Sequence, residues 1–290
     1  MEYRNLSGYL REKYGSRLGK ICIDGGFTCP NRDGTVGRGG CIYCSERGSG
    51  DHINAGKSIS EQVERALGMS SAEDRFIAYF QNFTNTYAAI EVLKERYDSA
   101  LVDPRIKILA IGTRPDCITA EIAALIASYK DRVDVWVELG LQTASDKTAE
   151  LINRGYKTEK HTEACKILTK YGIPIVTHIM IGLPGEGDKE LEDTVEELLR
   201  AGCWGVKIHS VYVAKNTRLE KMYLSGEYTP ISREDYVRRA AAAISALRDR
   251  TVIHRITGDC PRELLVAPEW NTDKNGVIKE INAALSEMNS

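Results

Sequence analysis

CPNRDGTVGRGGCIYC, residues 29–44, gathers three of the chain's eight cysteines into a short stretch that also holds Pro30, Gly34, Gly37, Gly39 and Gly40. The spacing is C-x11-C-x2-C, and no further cysteine follows until Cys117. Glycine adopts backbone angles that other residues avoid, so a loop of this composition wraps closely around a compact object. The loop comes directly after the β-rich run GKICID at 19–24. A loop at the carboxyl end of the first strand of a βα protein lies on the rim where such folds place their chemistry.

Working outward, five more runs of the same kind follow: RFIAYF at 75–80, IKILAI at 106–111, VDVWVEL at 133–139, IPIVTHIMI at 173–181 and WGVKIHSVYV at 204–213. Between them, apolar residues three or four apart predict helices over 58–69, 87–97, 119–129, 158–171 and 188–201. Ser58 and Glu61 have the spacing of a capping box at the first of these. Strands alternating with helices indicate parallel βαβ units, because a parallel neighbour is reached only through a crossover long enough to hold a helix. Six units predict an open, partial (β/α)6 TIM-like barrel in the α/β class. A closed eight-unit barrel would need two more repeats, and a doubly wound sheet is the alternative. The softest boundary, Gly226 to Pro230, divides a barrel with its N-terminal segment over 1–228 from a C-terminal α/β extension over 229–290. That extension holds a helical pattern at 232–247, a strand-like run at 251–256 and a helical tail at 274–288.

Composition narrows the function. The chain has 290 residues, 42% hydrophobic and 28% charged, with a formal charge of −2, which is ordinary for a soluble protein and gives no global attraction for phosphate. A local basic face is possible over Arg233–Arg255, where Arg238, Arg239, Arg248, Arg250 and His254 cluster, although solvated helix faces explain the same residues. No stretch approaches eighteen apolar residues and the N-terminus carries no export pattern, so the expected location is cytoplasmic, with no membrane association. Thiols there stay reduced, which argues against a disulfide framework. Cys22, Cys117, Cys165, Cys203 and Cys260 lie among apolar segments and read as small buried hydrophobes. AGKS at 55–58 resembles a phosphate loop, but the pattern demands glycine where Asp51 stands.

Three readings of the loop compete. A structural zinc site would need His52 as fourth ligand. A dithiol redox pair, Cys41 and Cys44, leaves Cys29 unexplained. A [4Fe–4S] cluster takes three thiolates on three irons and leaves the fourth iron open to another molecule, whereas an electron-transfer ferredoxin would use four.

On these residues the sequence resembles the radical SAM superfamily, whose open iron is chelated by S-adenosylmethionine (SAM). The commonest spacing there is C-x3-C-x2-C. The longer first gap here is similar to that of the radical SAM domain of the Elongator catalytic subunit and of MnmL/YhcC-type bacterial proteins. The resemblance runs from about Gly19 to Trp270 and implies that Cys29, Cys41 and Cys44 bind the cluster, with Tyr43 beside it. It places Gln81, Asn85 and Thr86 of QNFTNTYA near the methionine end of SAM, and Glu138 and Gln142 of VELGLQTA at the ribose. Arg154 of LINRGY would pair with the SAM carboxylate, while Gly182 and Gly185 of HIMIGLPGE would approach the adenine. Lys207 and His209 of VKIHSVYV share one strand face and are the substrate-side candidates for catalysis. GDCPRELLVAPEW at 258–270 resembles a C-terminal signature, in which Asp259 and Arg262 would close the site.

The implied activity is reductive cleavage of SAM to a 5′-deoxyadenosyl radical, fed by a flavodoxin- or ferredoxin-like electron donor. The implied partner is tRNA, modified at the C5 substituent of a wobble uridine. About sixty residues follow Thr229, too few for an acetyltransferase domain, so remodelling of an existing substituent is expected rather than acetyl-CoA chemistry. A tetrapyrrole or peptide substrate is the alternative within the class, and a noncatalytic zinc-binding module that recognises RNA or protein is the alternative outside it.

Overall fold

The structure, a computed structural model, describes residues 3–48, 57–71 and 74–288. Six strands appear where the β-rich runs predict them: β1 Gly19–Ile23, β2 Phe76–Phe80, β3 Ile106–Thr113, β4 Asp134–Gln142, β5 Ile175–Ile181 and β6 Gly205–Ser210. A further strand, β7 Val252–Arg255, comes from the segment assigned to the C-terminal extension. All seven are parallel and run in sequence order across one sheet, which curls into a half-barrel. Helices Ile59–Gly68, Ile90–Ala100, Ala120–Ala127, Thr158–Lys170, Asp188–Arg200, Arg233–Leu247 and Lys274–Met288 follow the strands in turn. The expected six-unit open barrel is therefore present, and the extension adds a seventh βα unit to its edge.

Local chemistry explains the element ends. Ser58 and Glu61 form the capping box read from sequence, Glu61 N donating to Ser58 Oγ at 3.3 Å and Ser58 N to Glu61 Oε2 at 2.8 Å. A helix start has amide groups with no partner inside the helix, and this pair satisfies two of them. Among the described residues no helix is long and apolar enough to cross a membrane.

Strand β4 shows how one sequence divides its side chains between two environments. Val135, Val137, Leu139 and Leu141 face outward into the core beneath the helices, and Trp136 faces the barrel interior with Glu138 two residues on. The strand repeat of two makes this alternation obligatory. The lower interior is closed by a helix the sequence reading did not assign, Leu6–Tyr14, whose Leu6, Tyr9, Leu10 and Tyr14 pack among Ile77, Ile108, Trp136, Val176 and Trp204. Ile253 N donates to Arg4 O at 2.8 Å and ties that helix to the last strand. Tyr9 meets Trp204 edge-on at 5.1 Å between ring centroids, and Trp136 lies 5.7 Å from Trp204. Such aromatic contacts add stabilisation beyond burial alone.

Replacing Trp136 with alanine should therefore cost about 3–5 kcal/mol, through lost burial and a cavity at the barrel floor. Urea unfolding measures it, and a loss below about 1 kcal/mol would contradict a packed plug.

Candidate active site

The cysteine loop is held by its own side chains. Cys29 is the extended residue before one helical turn, Pro30–Asp33, which exits through left-handed Gly34. Val36 N and Gly37 N both return to Pro30 O, and Gly40 N bonds Asn31 O at 2.9 Å. Asn31, 1% exposed, donates Nδ2 to Asn153 O at 2.6 Å and lies 3.9 Å from Cys41 Sγ. Residue 37 must be glycine here, because a Cβ would stand 2.3 Å from Asn31 Oδ1. Asn153 donates in turn to Gly40 O at 2.7 Å. Ile42, between the later cysteines, is buried against Ile152, Leu183, Val211 and Leu219, and its amide and carbonyl bond Ile152 O and Leu219 N.

Cys29, Cys41 and Cys44 consequently line one cavity at the carboxyl ends of the strands. It encloses about 240 Å³, far above the roughly 10–15 Å³ that a single water needs. Tyr43, Gln81, Glu138, Gln142, Arg154 and His209 line it too, so most of the residues singled out in the sequence converge on one space. The neighbouring Cys44 draws the Cys41 thiol below its ordinary range, against the opposing effect of burial. Tyr43, Arg114 and Asn31 act in the same direction.

Other expected residues lie elsewhere. Asn85 and Thr86 sit behind the cavity wall as struts: Asn85 Nδ2 donates to Gly112 O at 2.7 Å, and the Thr86 hydroxyl lies 2.6 Å from that of Thr113. Neither caps a helix, since the following helix starts at Ile90. Gly182 and Gly185 are outside the cavity lining, and at Gly182 a Cβ would meet Ile231 Cγ2 at 2.8 Å. The close approach there is made by the chain itself. Lys274 engages Asp259 at 3.1 Å, away from the cavity lining. His52, the proposed zinc partner, lies outside the described residues.

Two charged residues have partners that the sequence did not reveal. Arg154, fully buried, gives Nε to Tyr156 O at 3.0 Å, Nη1 to Leu141 O and to Thr143 O at 2.6 Å, and Nη2 to Thr158 Oγ1 at 3.4 Å, with Asp146 at 3.8 Å. Four hydrogen bonds within this chain thus engage its guanidinium, which braces the turn after β4. Glu138, 2% exposed, accepts from Trp136 Nε1 at 3.0 Å, from Lys207 Nζ, and faces His178 Nε2 at 2.8 Å. Burial alone would raise its pKa, but Lys207 and His178 more than reverse this and hold it well below the carboxylate range. Lys207, 3% exposed, is pulled down to about 7 by burial, against the attraction of Glu138.

The cavity also recruits residues the sequence reading passed over. Arg114, at the end of β3, grips Asp116 through Nε and Nη2 at 3.0 and 2.7 Å, donates Nη1 to Arg154 O at 2.9 Å, and stacks on Tyr156 at 4.7 Å. Its place at a strand's carboxyl end was the available signal. Tyr156 donates to Gly140 O, and Gln142, left-handed at φ 62°, lies 3.3 Å from the same hydroxyl. His178 stacks 5.2 Å from His209, whose ring is kept neutral by burial and by the nearby His178, Arg255 and Lys207.

This lining fits an inorganic cluster and a polar ligand. Thr84 Oγ1 and His209 Nε2 belong to cavity-lining residues and are buried without a partner, a costly state that a ligand would relieve. A tetrahedral zinc would draw its ligand atoms to within about 3.8 Å of one another. Among the described residues, the trio gathered tightly enough for one ion, with ligand atoms within 4.8 Å, is His161, Cys165 and Cys203 outside the barrel, not the loop cysteines. A cube binds each of three thiolates at a separate corner and so does not require such a trio.

With the geometry in place, comparison with known proteins is informative. The family model for the radical SAM superfamily matches residues 31–198, and that for the radical SAM C-terminal domain matches 203–287. The uncharacterized protein YtqA of Bacillus subtilis is 38% identical over 99% of this chain and 91% of its own length. Protein YhcC of Escherichia coli is 36% identical over 97% and 92%. A tRNA uridine(34) acetyltransferase of Dehalococcoides mccartyi is 32% identical over 58% of this chain, which spans 37% of that enzyme. In structure, Elp3 of Methanocaldococcus infernus superposes with a TM-score of 0.66 at 18% identity, covering 91% of this chain and 63% of that one.

The buried pair makes its own prediction. Glu138→Gln removes the charge on which Lys207, His178 and Trp136 converge and should cost about 3–5 kcal/mol at pH 7 in urea unfolding. The double variant with Lys207→Met should lose less than Glu138→Gln alone, and additive losses would show that the two do not act as a pair.

Proposed function

This chain belongs to the radical SAM superfamily, and on that premise we propose that it is a SAM-cleaving enzyme that modifies the C5 substituent of a tRNA wobble uridine. The observation that carries the enzymatic part is the convergence of Cys29, Cys41 and Cys44 on one cavity at the barrel mouth. Their thiolates would hold three irons of a [4Fe–4S] cluster, and Tyr43, Gln81, Thr84 and Gln142 offer polar atoms for SAM beside it. When bound, cluster and SAM together supply one-electron cleavage of a carbon–sulfur bond and a carbon radical able to remove hydrogen from an unreactive position.

The chain's own contribution is orientation and exclusion of water. Asn31 and Asn153 fix the loop, and Arg114 brings positive charge beside Cys29 and Cys41. Asn85 and Thr86 hold the ends of β2 and β3 in place behind Gln81. Below them the apolar plug keeps water from entering the barrel floor. Lys207, His178 and His209 lie between plug and mouth, on the side where a substrate would enter after SAM. Lys207 is bound to Glu138 and, in this reading, holds that cavity-lining carboxylate in place.

The tRNA assignment rests on likeness to tRNA uridine(34) acetyltransferases over a shared part of the chain. The reductant in this reading is a flavodoxin- or ferredoxin-like protein.

Anaerobic reconstitution should give a brown protein with about four irons per chain, and alanine at Cys29, Cys41 or Cys44 should abolish it. A colourless protein that keeps a single zinc would replace this reading with the zinc-binding one. For the substrate, cells lacking the protein should show changed wobble-uridine nucleosides by mass spectrometry. An unchanged profile would remove tRNA and move a peptide or tetrapyrrole substrate ahead.

A further inference from the structure

Outside the barrel, between the sheet and its helices, lies a second cluster of ligand-bearing side chains. His161 and Cys165 stand four residues apart on the helix Thr158–Lys170, a spacing that puts both on one face. Cys203 comes from the turn that leads into β6. All three are buried, at 0%, 2% and 5% exposure, and their ligand atoms lie within 4.8 Å of one another. Cys165 Sγ is 3.6 Å from His161 Nε2. The Thr177 hydroxyl of β5 lies 3.0 Å from that same nitrogen and 3.1 Å from Cys203 Sγ. On the other side of the imidazole, Nδ1 faces Glu197 Oε1 at 3.5 Å. That carboxylate is itself fixed by Thr162 at 2.8 Å and by Arg200 Nε at 3.0 Å.

We propose that His161, Cys165 and Cys203 form a second metal site, independent of the barrel mouth, for a thiolate-preferring ion such as Zn²⁺. Two sulfurs and one imidazole are the donors that select zinc over harder ions. The separations need a contraction on the order of 1 Å to reach tetrahedral spacing. The Thr177 hydroxyl, beside both His161 Nε2 and Cys203 Sγ, is the nearest further oxygen to such an ion. Glu197 occupies the place of the carboxylate that orients a metal-bound histidine through its other ring nitrogen. Burial on all sides makes the site structural, since substrate has no path to it. On binding, each thiol gives up its proton and each sulfur donates an electron pair to the ion, so two protons are released and no redox step occurs.

The test uses the full chain with Cys29, Cys41 and Cys44 replaced by alanine, so that the mouth cannot bind metal. Titration with Co²⁺ should give thiolate-to-cobalt charge-transfer absorption at about one ion per chain, displaced by Zn²⁺, and Zn²⁺ should raise the melting temperature. Both signals should vanish in C165S and C203S, and E197Q should bind about 10–100-fold more weakly. If the triple variant does not fold, elemental analysis of the reconstituted wild-type chain should find about one zinc beside the iron, lost in C203S. Absence of the cobalt band, or its survival in C165S and C203S, would overturn the proposal. Because iron content is read separately, this outcome leaves the mouth assignment untouched.

Discussion

Glu138 carries a carboxylate into a barrel interior where it is 2% exposed, and an ion placed there persists only if its partners replace the water it loses. Trp136 supplies a donor from below, His178 supplies one from the neighbouring strand β5, and Lys207 reaches across from β6. This one contact divides the half-barrel. Beneath it, Trp136, Trp204 and His254 pack together with the N-terminal helix. Above it lies the open space that the cysteines face. Glu138 therefore marks the level at which the interior changes from the packed floor to the cavity.

The long gap between the first and second cysteines has a physical resolution. Residues 30–40 form a closed excursion in which Pro30 O accepts two amides, Asp33 bridges Arg38, and Asn31 O takes the amide of Gly40. The chain thus leaves Cys29 and returns beside it, so eleven intervening residues present the sulfurs much as a shorter loop would. Four glycines make the loop entropically costly to order. Asn31, Asn153 and the buried Ile42 offset that cost, and each anchors it to the turn after β4 or to the second apolar cluster. Rigidity before binding is what a three-point grip on an inorganic body requires.

Much of the fold was legible because period-two and period-3.6 patterns are local. Every predicted strand was found within a few residues, as was the Ser58–Glu61 box. The helix Leu6–Tyr14 has only nine residues, and what stabilises it is burial under Trp136 and Trp204, which nothing local announces. The same distinction runs through the site. The cysteines, Gln81 and Gln142 could be singled out from spacing and position at strand ends. Glu138 could be recognised as a charge in an apolar run and Arg154 through the family resemblance, but their partners could not. Lys207 lies 69 residues from Glu138, and Arg154 meets the carbonyls of Leu141 and Thr143 only after the chain turns back on β4. Cys165 and Cys203, read singly as small hydrophobes, become a pair only when helix and sheet are packed together.

Strand β5 connects the two regions. Thr177 and His178 are adjacent in sequence and so point to opposite faces. Thr177 meets His161 and Cys203 outside the barrel, while His178 meets Glu138 inside. In the ladder, Thr177 pairs with Val206 and His178 with Lys207. A slip of one residue between β5 and β6 would exchange the faces and bring a threonine to the carboxylate in place of the imidazole. Cys203 enters β6 two residues ahead of its first paired position, so a contact from Thr177 to Cys203 pins the same register that sets His178 and Lys207 around Glu138. The outer cluster and the inner site thus share one strand register, although none of His161, Cys165 and Cys203 lines the cavity.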